Sequence, residues 1–229
     1  MATRYNFFGG LVTDGLVLDL DAAKLSSYPA GGTAWIDISG NGNNGVLTNG
    51  PTFSGVGKQA SIVFDGVDDY VITSQSQSFN DFSVCAFFKD TASTGYARIV
   101  DARYRDGFWF GRDGSPGVSN RYGGGCKQTT GYNFITLTAG QWHFLAMTRS
   151  GTTLTVYGDG ITNTNTTTGG SGPTALHLLS VGATINDGDP TPQRDWFTGN
   201  IPSIQIYNRS LSAAEVSQNF NALRGRYNI

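Results

Sequence analysis

The sequence predicts an all-β protein, an antiparallel two-sheet sandwich or jelly roll with one short helix near the C-terminus. Short stretches of alternating apolar residues recur along the chain, separated by Gly, Asn and Ser. Gly alone accounts for 32 of the 229 residues, a composition typical of turn-rich β proteins. Parallel strands would need crossover helices between them, and the sequence offers none, so the strands are expected to pair antiparallel. With 38% apolar residues, the chain can bury a sizeable core.

Two segments illustrate the strand pattern. The segment 15–21 places Leu16, Leu18 and Leu20 on one face, and the segment 82–88 repeats this alternation, so both are expected to be half-buried strands. The same reasoning predicts further strands at 61–64, 70–73, 97–101, 107–112, 133–138, 142–149, 153–157, 178–183 and 204–207. The Thr- and Asn-rich segment 162–170 is predicted to be an exposed loop or edge.

One helix is predicted against this background. Ser212 and Glu215 have the spacing of a capping box, in which each side chain bonds to the backbone of the other residue. Val216, Phe220 and Leu223 follow at i, i+4 and i+7 and form one apolar stripe. The helix is therefore expected to pack on a sheet.

Composition excludes several classes of function. Only 14% of the residues are charged and the net charge is −2, so nucleic acid is not an expected partner. No run of 18 apolar residues predicts a membrane span. The N-terminus lacks the apolar region of a signal peptide, which predicts a protein made in the cytoplasm. Glu215 is the single glutamate, which excludes a glycosidase built on a glutamate pair but leaves an aspartate pair open.

Several motifs have structural explanations. The segment 40–45 matches the dinucleotide motif G-x-G-x-x-G, but Asn, Gly and Pro break the chain where a helix must follow, so a tight turn is predicted. His143 and His177 have no partner at metal-ligand spacing and are expected to be structural. Cys85 and Cys126 are expected to be free thiols, with a disulfide between them as the less favoured alternative.

Aspartates cluster in two loops. They are Asp65, Asp68 and Asp69 in one loop and Asp187 and Asp189 in the other. Oxygen-rich loops of this kind can bind Ca²⁺, which makes these five residues candidate metal ligands. The spacing matches no EF-hand, and aspartates also cap turns, so structural turns are favoured over a calcium site.

The segment 98–127 is the most distinctive chemically, because it combines arginines with aromatic residues. Aromatic faces and guanidinium groups suit a sugar or an acidic glycan, and the alternative is a solvated strand pair with a subunit contact. The candidate ligand-binding residues are Arg103, Arg105, Trp109, Arg112 and Tyr122. The Gly-rich end of the segment, 123–126, is expected to be a mobile or tightly turned loop.

The first 13 residues precede the first strand and are predicted to form an arm, with a single domain over 14–229. Tyr5, Phe7 and Phe8 lie together in this arm, and three exposed aromatic side chains would be unfavourable. The arm is therefore expected either to dock on a partner subunit or to pack on the domain's own helix. Its position predicts that it lies near the C-terminal segment 224–229.

Several segments together resemble a known family. They are IVFDGVDDYV at 62–71, FSVCAF at 82–87, QWHFLAMTR at 141–149, LTVYGDG at 154–160 and GNIPSIQIYNRSLSAAEV at 199–216. In this order they resemble the laminin G-like, concanavalin A-like jelly roll, over about residues 15–223. The front segments GLVLDLDA at 15–22 and WIDISGNGNNGV at 35–46 resemble the version found in structural proteins of tailed phages, particularly cyanophages.

The resemblance implies two curved antiparallel sheets and a role in binding carbohydrate or protein. Where the family commonly has Ile-Asp-Glu, this chain has Ile201-Pro-Ser203, which removes both acids and argues against a calcium site that draws on this region. Glucanases of the fold use paired Glu and Asp on one strand, and the only glutamate here lies on the predicted helix, so that activity is not expected.

The expected function is therefore that of a non-enzymatic phage virion protein, a head decoration, knob or tail appendage on the virion surface. Its expected partners are other virion proteins, further copies of itself and host surface glycans, with no cofactor beyond the calcium already considered. The alternative is a secreted or cell-surface bacterial adhesion module that binds carbohydrate. A polysaccharide hydrolase that uses an aspartate pair is the third and least favoured possibility.

Overall fold

The computed structural model describes residues 9–74, 76–92, 94–102, 107–126, 132–168, 174–185 and 192–229. For 76–77, 161–168, 174–177, 185 and 192–193, it describes the backbone path alone. The protein is mostly β, with 46% of residues in strands and one short C-terminal helix, which confirms the predicted fold class.

The strands are, in chain order, β1 Leu16–Asp21, β2 Ala34–Trp35, β3 Gly45–Thr48, β4 Thr52–Ser54, β5 Ser61–Asp65, β6 Tyr70–Thr73, β7 Ser76–Phe79, β8 Phe82–Asp90, β9 Ala97–Asp101, β10 Phe108–Arg112, β11 Arg121–Cys126, β12 Asn133–Thr136, β13 His143–Ser150, β14 Thr153–Gly158, β15 Ile161–Thr168, β16 Thr174–His177, β17 Ser180–Val181, β18 Thr184–Ile185, β19 Pro192–Arg194 and β20 Thr198–Tyr207. The helix α1 spans Ala213–Leu223, and 3₁₀ turns lie at Gly57–Gln59 and Arg224–Arg226.

Most strands belong to two sheets of eight strands each. The first sheet has the order β15-β14-β13-β8-β20-β5-β4, and β1 also pairs with β20. The second sheet has the order β12-β11-β10-β9-β17-β6-β3-β2. Small hairpins join β7 to β16 and β18 to β19. All of these pairings are antiparallel, as the absence of crossover helices predicts.

The main core fills the space between the two sheets. From β8, the side chains of Phe82, Val84, Ala86 and Phe88 enter this core. Cys85 and Phe87 point to the other face of the strand, where they join a second apolar cluster that includes the helix. Strand β8 is thus buried on both faces, and the prediction of a half-buried strand is wrong because the helix covers the face that alternation assigns to solvent.

The helix begins as the capping box predicts. The hydroxyl of Ser212 accepts a hydrogen bond from the backbone N–H of Glu215, and the Glu215 carboxylate accepts one from the backbone N–H of Ser212. Val216, Phe220 and Leu223 are buried against the first sheet, with the Phe220 ring stacked 6.4 Å from that of Phe87. The predicted helix and its apolar stripe are confirmed.

The chain before β1 runs along this helix. Asn219 accepts a hydrogen bond from the backbone N–H of Val12 and donates one to the hydroxyl of Tyr207, both at 2.9 Å. The side chain of Gln218 donates to the carbonyl of Gly10 at 2.7 Å. Residues 9–12 are therefore held beside α1 and β20. Tyr5, Phe7 and Phe8 lie outside the described residues.

The glycine-rich segment 123–126 is not a loop, which corrects the sequence prediction. It belongs to β11, which pairs with β10 on one side and β12 on the other. A Cβ atom on Gly124 would overlap the carbonyl oxygen of Trp109, and one on Gly123 would overlap that of Asn133. Glycine is a weak strand former, but here its lack of a side chain allows the neighbouring backbones to approach closely.

Strand β1 is also buried on both faces, so the prediction of a half-buried strand at 15–21 is wrong as well: Asp19 and Asp21 between its leucines are 4% and 0% exposed. The other strand predictions hold with adjusted bounds. Each predicted strand overlaps an observed one, although 178–183 shortens to Ser180–Val181. The segment 162–170 contributes to β15, the strand at one edge of the first sheet, in agreement with a predicted edge. Gly40 and Gly42 adopt positive φ in the turn before β3, which confirms the tight turn. In the part of the chain that the structure describes, no helix is long and apolar enough to cross a membrane.

Candidate functional site

A cavity of about 290 Å³ opens on the outer face of the second sheet, the face that points away from the core. Its position follows from the alternation of β10. Phe108 and Phe110 enter the core, so Trp109 between them points outward. The register places Gly125 of β11 and Asp101 of β9 on either side of Trp109. The cavity therefore lies over the strands β9, β10 and β11, near one end of the sheet.

Aromatic side chains form one part of the cavity wall. The Trp109 ring lies 5.5 Å from the ring of Tyr132 and 5.7 Å from that of Phe134, measured between centroids. Trp109 is only 6% exposed because these rings cover it, whereas Tyr132 is 52% exposed and Tyr96 is 46% exposed. Tyr96 and Tyr132 are thus the rings that a ligand can reach, and Trp109 packs beneath Tyr132.

Gly125 is a further part of this arrangement. A Cβ atom at this position would lie 2.5 Å from the Tyr132 ring and 3.2 Å from the indole nitrogen of Trp109. The missing side chain leaves the space that the two rings occupy. The glycine strand thereby positions the aromatic wall.

Arg98 lies at the base of the cavity, where it contacts two aromatic rings and a carboxylate. Its guanidinium carbon lies 4.7 Å from the centroid of Trp109 and 5.6 Å from that of Tyr96, within the range of a cation–π interaction. Its Nη2 atom lies 2.9 Å from a carboxylate oxygen of Asp195, which also accepts a hydrogen bond from the hydroxyl of Thr184. Asp195 has a φ of 56°, a left-handed conformation that aspartate tolerates better than most residues. The Arg98–Asp195 pair is thus fixed on both sides.

A second ion pair joins Arg121 at the start of β11 to Asp113. The Arg121 guanidinium also lies 4.3 Å from the centroid of Phe134, and Ser115 donates to Asp113 at 2.7 Å. Burial opposes ionisation of Asp113, but the hydrogen bonds from Ser115 and Arg121 outweigh this effect and hold the pKa of the carboxyl below its usual range. Asp113 is therefore a stable anion in the cavity wall.

Arg194 lines the cavity from the hairpin β18–β19 and differs from the other two arginines. Its side chain is exposed, and within the described residues it has no ion-pair partner. Among the described residues, the cavity lining contains three arginines and two aspartates, and the buried Asp101 adds a third carboxylate 3.6 Å from Arg98.

The predicted binding residues fall into different places. Trp109 belongs to the cavity wall. Arg112 and Tyr122 point into the sandwich instead, where an Nη atom of Arg112 lies 2.5 Å from a carboxylate oxygen of Asp90 and the Tyr122 hydroxyl donates to the same oxygen at 3.1 Å. Both are buried, at 3% and 1% exposure, so neither is presented to a ligand in this structure. Both side chains donate the hydrogen bonds that the buried carboxylate of Asp90 requires.

Arg103 and Arg105 lie outside the described residues. The residues that sequence reasoning left out of the site are those that converge on Trp109 from other strands: Tyr96, Arg98, Arg121, Tyr132 and Arg194. Assigning Phe108 and Phe110 to the core would have directed Trp109 outward. The pairing of β10 with β11 decides that Arg121 faces the cavity and Tyr122 the core, and no sequence pattern predicts this pairing.

The loop that contains Asp65, Asp68 and Asp69 forms a turn closed by its own aspartates, the structure that the sequence favours over a calcium site. A carboxylate oxygen of Asp65 accepts a hydrogen bond from the backbone N–H of Val67 at 2.8 Å, and Asp69 accepts one from the backbone N–H of Asp65 at 2.9 Å. Carboxylate oxygens of Asp65, Asp68 and Asp69 also lie within 4.8 Å of one another. Burial, together with the two neighbouring carboxylates, raises the pKa of Asp69 despite its hydrogen bond from Asp65. Calcium binding here stays a prediction.

Asp187 and Asp189 of the second loop lie outside the described residues. His143 has the structural role that was expected, because its ring nitrogens lie 2.7 Å from a carboxylate oxygen of Asp159 and 2.7 Å from the carbonyl of Thr138. No disulfide joins Cys85 to Cys126, since the two lie in different sheets. Burial raises the pKa of the Cys85 thiol to about 12, which makes it unreactive.

Solved structures with this fold include domains in complex with a ligand. Domain 4 of AbnA, an extracellular GH43 arabinanase from Geobacillus stearothermophilus solved with arabinotriose, aligns with a TM-score of 0.64 and 17% identity over 89% of this chain and 97% of that one. The binding domain of botulinum neurotoxin DC with SialylT aligns with a TM-score of 0.66 and 16% identity over 92% of this chain and 52% of that one. The same toxin domain with rat synaptotagmin II gives a TM-score of 0.67 and 15% identity over 93% and 52%.

The chain thus spans nearly all of the arabinanase domain but about half the length of the toxin structures. At these identities the likeness concerns the fold. No curated protein sequence matches the chain significantly. A laminin G-like profile, described as the concanavalin A-like lectin/glucanases superfamily, matches residues 65–217. With two full sheets, one C-terminal helix and a match over more than half of its length, the chain belongs to the concanavalin A-like lectin/glucanases superfamily.

Proposed function

We propose that this protein is a non-enzymatic carbohydrate-binding module that holds a glycan in the cavity between Tyr96 and Tyr132. One observation carries the proposal: two half-exposed tyrosine rings border a cavity in which Arg98 and Arg121 are already fixed by ion pairs. A sugar ring offers C–H groups to an aromatic face and hydroxyl groups to polar side chains. The cavity presents both kinds of surface together.

The fixed ion pairs favour binding energetically. Arg98 and Arg121 are held by carboxylates and by aromatic rings before any ligand arrives. Little side-chain entropy is then lost when their remaining donors bond to sugar hydroxyl groups. Solved structures of the same fold that contain arabinotriose and SialylT add support, since each shows a glycan complex of such a domain.

The aspartates of the cavity favour binding over hydrolysis. Inverting and retaining glycosidases both need one carboxyl group that is protonated near neutral pH. Asp113 and Asp195 are instead each paired with an arginine, and the pKa of Asp113 is held below its usual range. Glu215, on the helix, is paired with Arg209, which with the Ser212 backbone lowers its pKa to about 2. None of these three carboxyl groups is suited to act as a general acid.

A glycan array followed by calorimetry tests the proposal. Tyr132→Ala should weaken binding of any glycan found by about fivefold, since stacking on an aromatic ring contributes on the order of 1 kcal/mol. Tyr70→Ala is the matched control, because Tyr70 lies on the outer face of the same sheet but does not line the cavity. Equal affinity in the wild type and Tyr132→Ala would reject the cavity as the site, and a blank array would reject the function.

The finer proposal concerns where the module is displayed. The likeness of segments 15–22 and 35–46 to structural proteins of tailed phages supports a place on a virion surface, where the module would bind host glycans beside other virion proteins. A secreted or cell-surface bacterial adhesion module is the second candidate. Immunogold labelling of phage particles from the source host would separate the two, because only the first candidate predicts labelled particles.

The N-terminal arm supplies a separate test of self-association. If Tyr5, Phe7 and Phe8 dock on a second copy, deleting residues 2–8 should convert an oligomer to a monomer with little change in melting temperature. Light scattering after size-exclusion chromatography measures the first property and circular dichroism the second. An unchanged oligomer with a lower melting temperature would show that the arm packs on its own domain instead.

A further inference from the structure

We infer that the cavity selects a carboxylated sugar, such as a uronic or sialic acid, over its neutral counterpart, and that Arg194 binds the carboxylate. This inference rests on the proposed function, because it concerns the same cavity. It goes further by naming the ligand chemistry and the residue that recognises it. The argument depends on which cationic groups of the cavity are already committed to a partner.

Arg98 and Arg121 are committed. Arg98 is 6% exposed and its Nη2 atom lies 2.9 Å from Asp195. Arg121 forms its ion pair with Asp113 while it packs on Phe134. A ligand carboxylate that displaced either aspartate would leave that aspartate without its cation, at considerable cost. These two arginines can offer remaining N–H groups to hydroxyl oxygens, but their charge is already neutralised.

Arg194 is the cation that remains. Within the described residues no carboxylate pairs with it, its side chain is exposed, and it lines the cavity beside the ion pair of Asp195. Its backbone is held in place from two sides. Arg194 pairs with Thr184 in the hairpin, and the carbonyl of the following Asp195 accepts a hydrogen bond from the backbone N–H of Arg98 at 3.0 Å. The guanidinium thus starts from a fixed point at the cavity edge.

The chemistry of this group defines the ligand class. A guanidinium is planar and presents paired N–H donors that match the two oxygens of a carboxylate. Because no described carboxylate pairs with Arg194, its positive charge is available to one negative charge on the ligand. The exposed rings of Tyr96 and Tyr132 provide surface for the sugar itself. A sugar that bears a single carboxylate uses both features, whereas a neutral sugar uses only the second.

Calorimetry with paired probes tests the inference. The first pair is galacturonic acid and its methyl ester, and the second pair is sialic acid and its methyl ester, so that each pair differs by one negative charge. The wild type should bind at least one acid about tenfold more tightly than its neutral counterpart, since a hydrogen-bonded charge pair contributes about 1.5 kcal/mol or more. Which acid binds identifies the source of the carboxylate. The preference should shrink as salt rises from about 0.05 to 0.5 M, because salt screens exposed charges.

Two variants assign the effect to Arg194. Arg194→Gln should weaken binding of the acid about tenfold and so remove its preference over the neutral sugar. Lys58→Gln is the matched control: it removes the same charge from an exposed residue that does not line the cavity, so it should leave the preference intact. A preference that survives in Arg194→Gln would overturn the role of this residue. Equal affinity of the wild type for acid and neutral probes would overturn the inference and leave the proposed function standing, whereas no binding of any probe or array glycan would reject both.

Discussion

Replacing Trp109 with alanine should destabilise the domain as well as weaken ligand binding. Trp109 lies on the outer face of the sheet, where substitutions usually change stability little, but its side chain is only 6% exposed. Its ring contacts Tyr132, Phe134 and the Arg98 guanidinium. The indole is therefore the common support for the aromatic wall and for the buried cation.

The magnitude follows from this burial. Truncating a buried tryptophan to alanine costs about 3–5 kcal/mol in a protein core. The lower end, about 3 kcal/mol, applies to Trp109 because the covering layer is one side chain thick and can partly collapse. For a domain of this size, each kcal/mol lowers the melting temperature by about 2–4 °C, so we expect a decrease of about 6–12 °C. Tyr132 is half exposed, and its truncation should cost about 1 kcal/mol, or about 2–4 °C.

Thermal melts followed by circular dichroism measure these shifts without depending on tryptophan fluorescence. Trp109→Phe keeps an aromatic ring at the same position and should recover most of the lost stability. The decisive comparison is between the variants: Trp109→Ala should lose both stability and binding, and Tyr132→Ala should lose mainly binding. A melting temperature of Trp109→Ala within about 2 °C of the wild type would refute the supporting role assigned to the indole.

Further predictions concern other parts of the fold. Burial lowers the pKa of His143, but its bonds to Asp159 and Thr138 outweigh this effect and raise the pKa above 6.5. Protonated His143 therefore stabilises the folded state fully below pH 6.5, and this stabilisation is lost as the pH rises through the folded-state pKa. The urea midpoint of the wild type should fall between about pH 6 and 9, and that of His143→Gln should stay constant. Ser212→Ala removes the helix cap and should cost about 1 kcal/mol by urea unfolding, with a cost below about 0.3 kcal/mol contradicting the cap. The hydrogen bonds that close the Asp65 turn need no cation, so melting temperatures in calcium and in chelator should agree within about 2 °C, and a larger rise with calcium would identify a metal site.

The sequence predicted strands and the helix wherever these depend only on the pattern of neighbouring residues. The alternation of Phe82, Val84, Ala86 and Phe88 predicted one face of β8, and the spacing of Ser212 and Glu215 predicted the start of the helix. These patterns depend on the chain's own periodicity and on hydrogen bonds between near neighbours. They were enough to predict the fold class.

The cavity was predicted only in part, because it depends on distant strands meeting in one register. Trp109 could be placed near a binding surface, but whether it faces outward depends on the core position of its neighbours. Tyr122 was assigned to the same surface and lies inside, because β10 and β11 pair with Trp109 opposite Gly125. A shift of one residue in that pairing would have exchanged Arg121 and Tyr122 between the two faces. The glycine strand also opposed the prediction, since intrinsic propensity disfavours strand there and pairing on both sides overrides it.

The pairing of β20 has a consequence for how the protein is synthesised. Strand β20 pairs with β1, β5 and β8. Its Ile206 pairs with Leu18, which is separated from it by most of the sequence. While the ribosome is still making residues 198–229, these three strands lack their shared partner and expose unpaired backbone edges. Contacts so distant in sequence form slowly, and exposed edges invite aggregation in the meantime. We therefore expect nascent chains that stall before β20 to require chaperones, and fragments that end before residue 198 to remain insoluble.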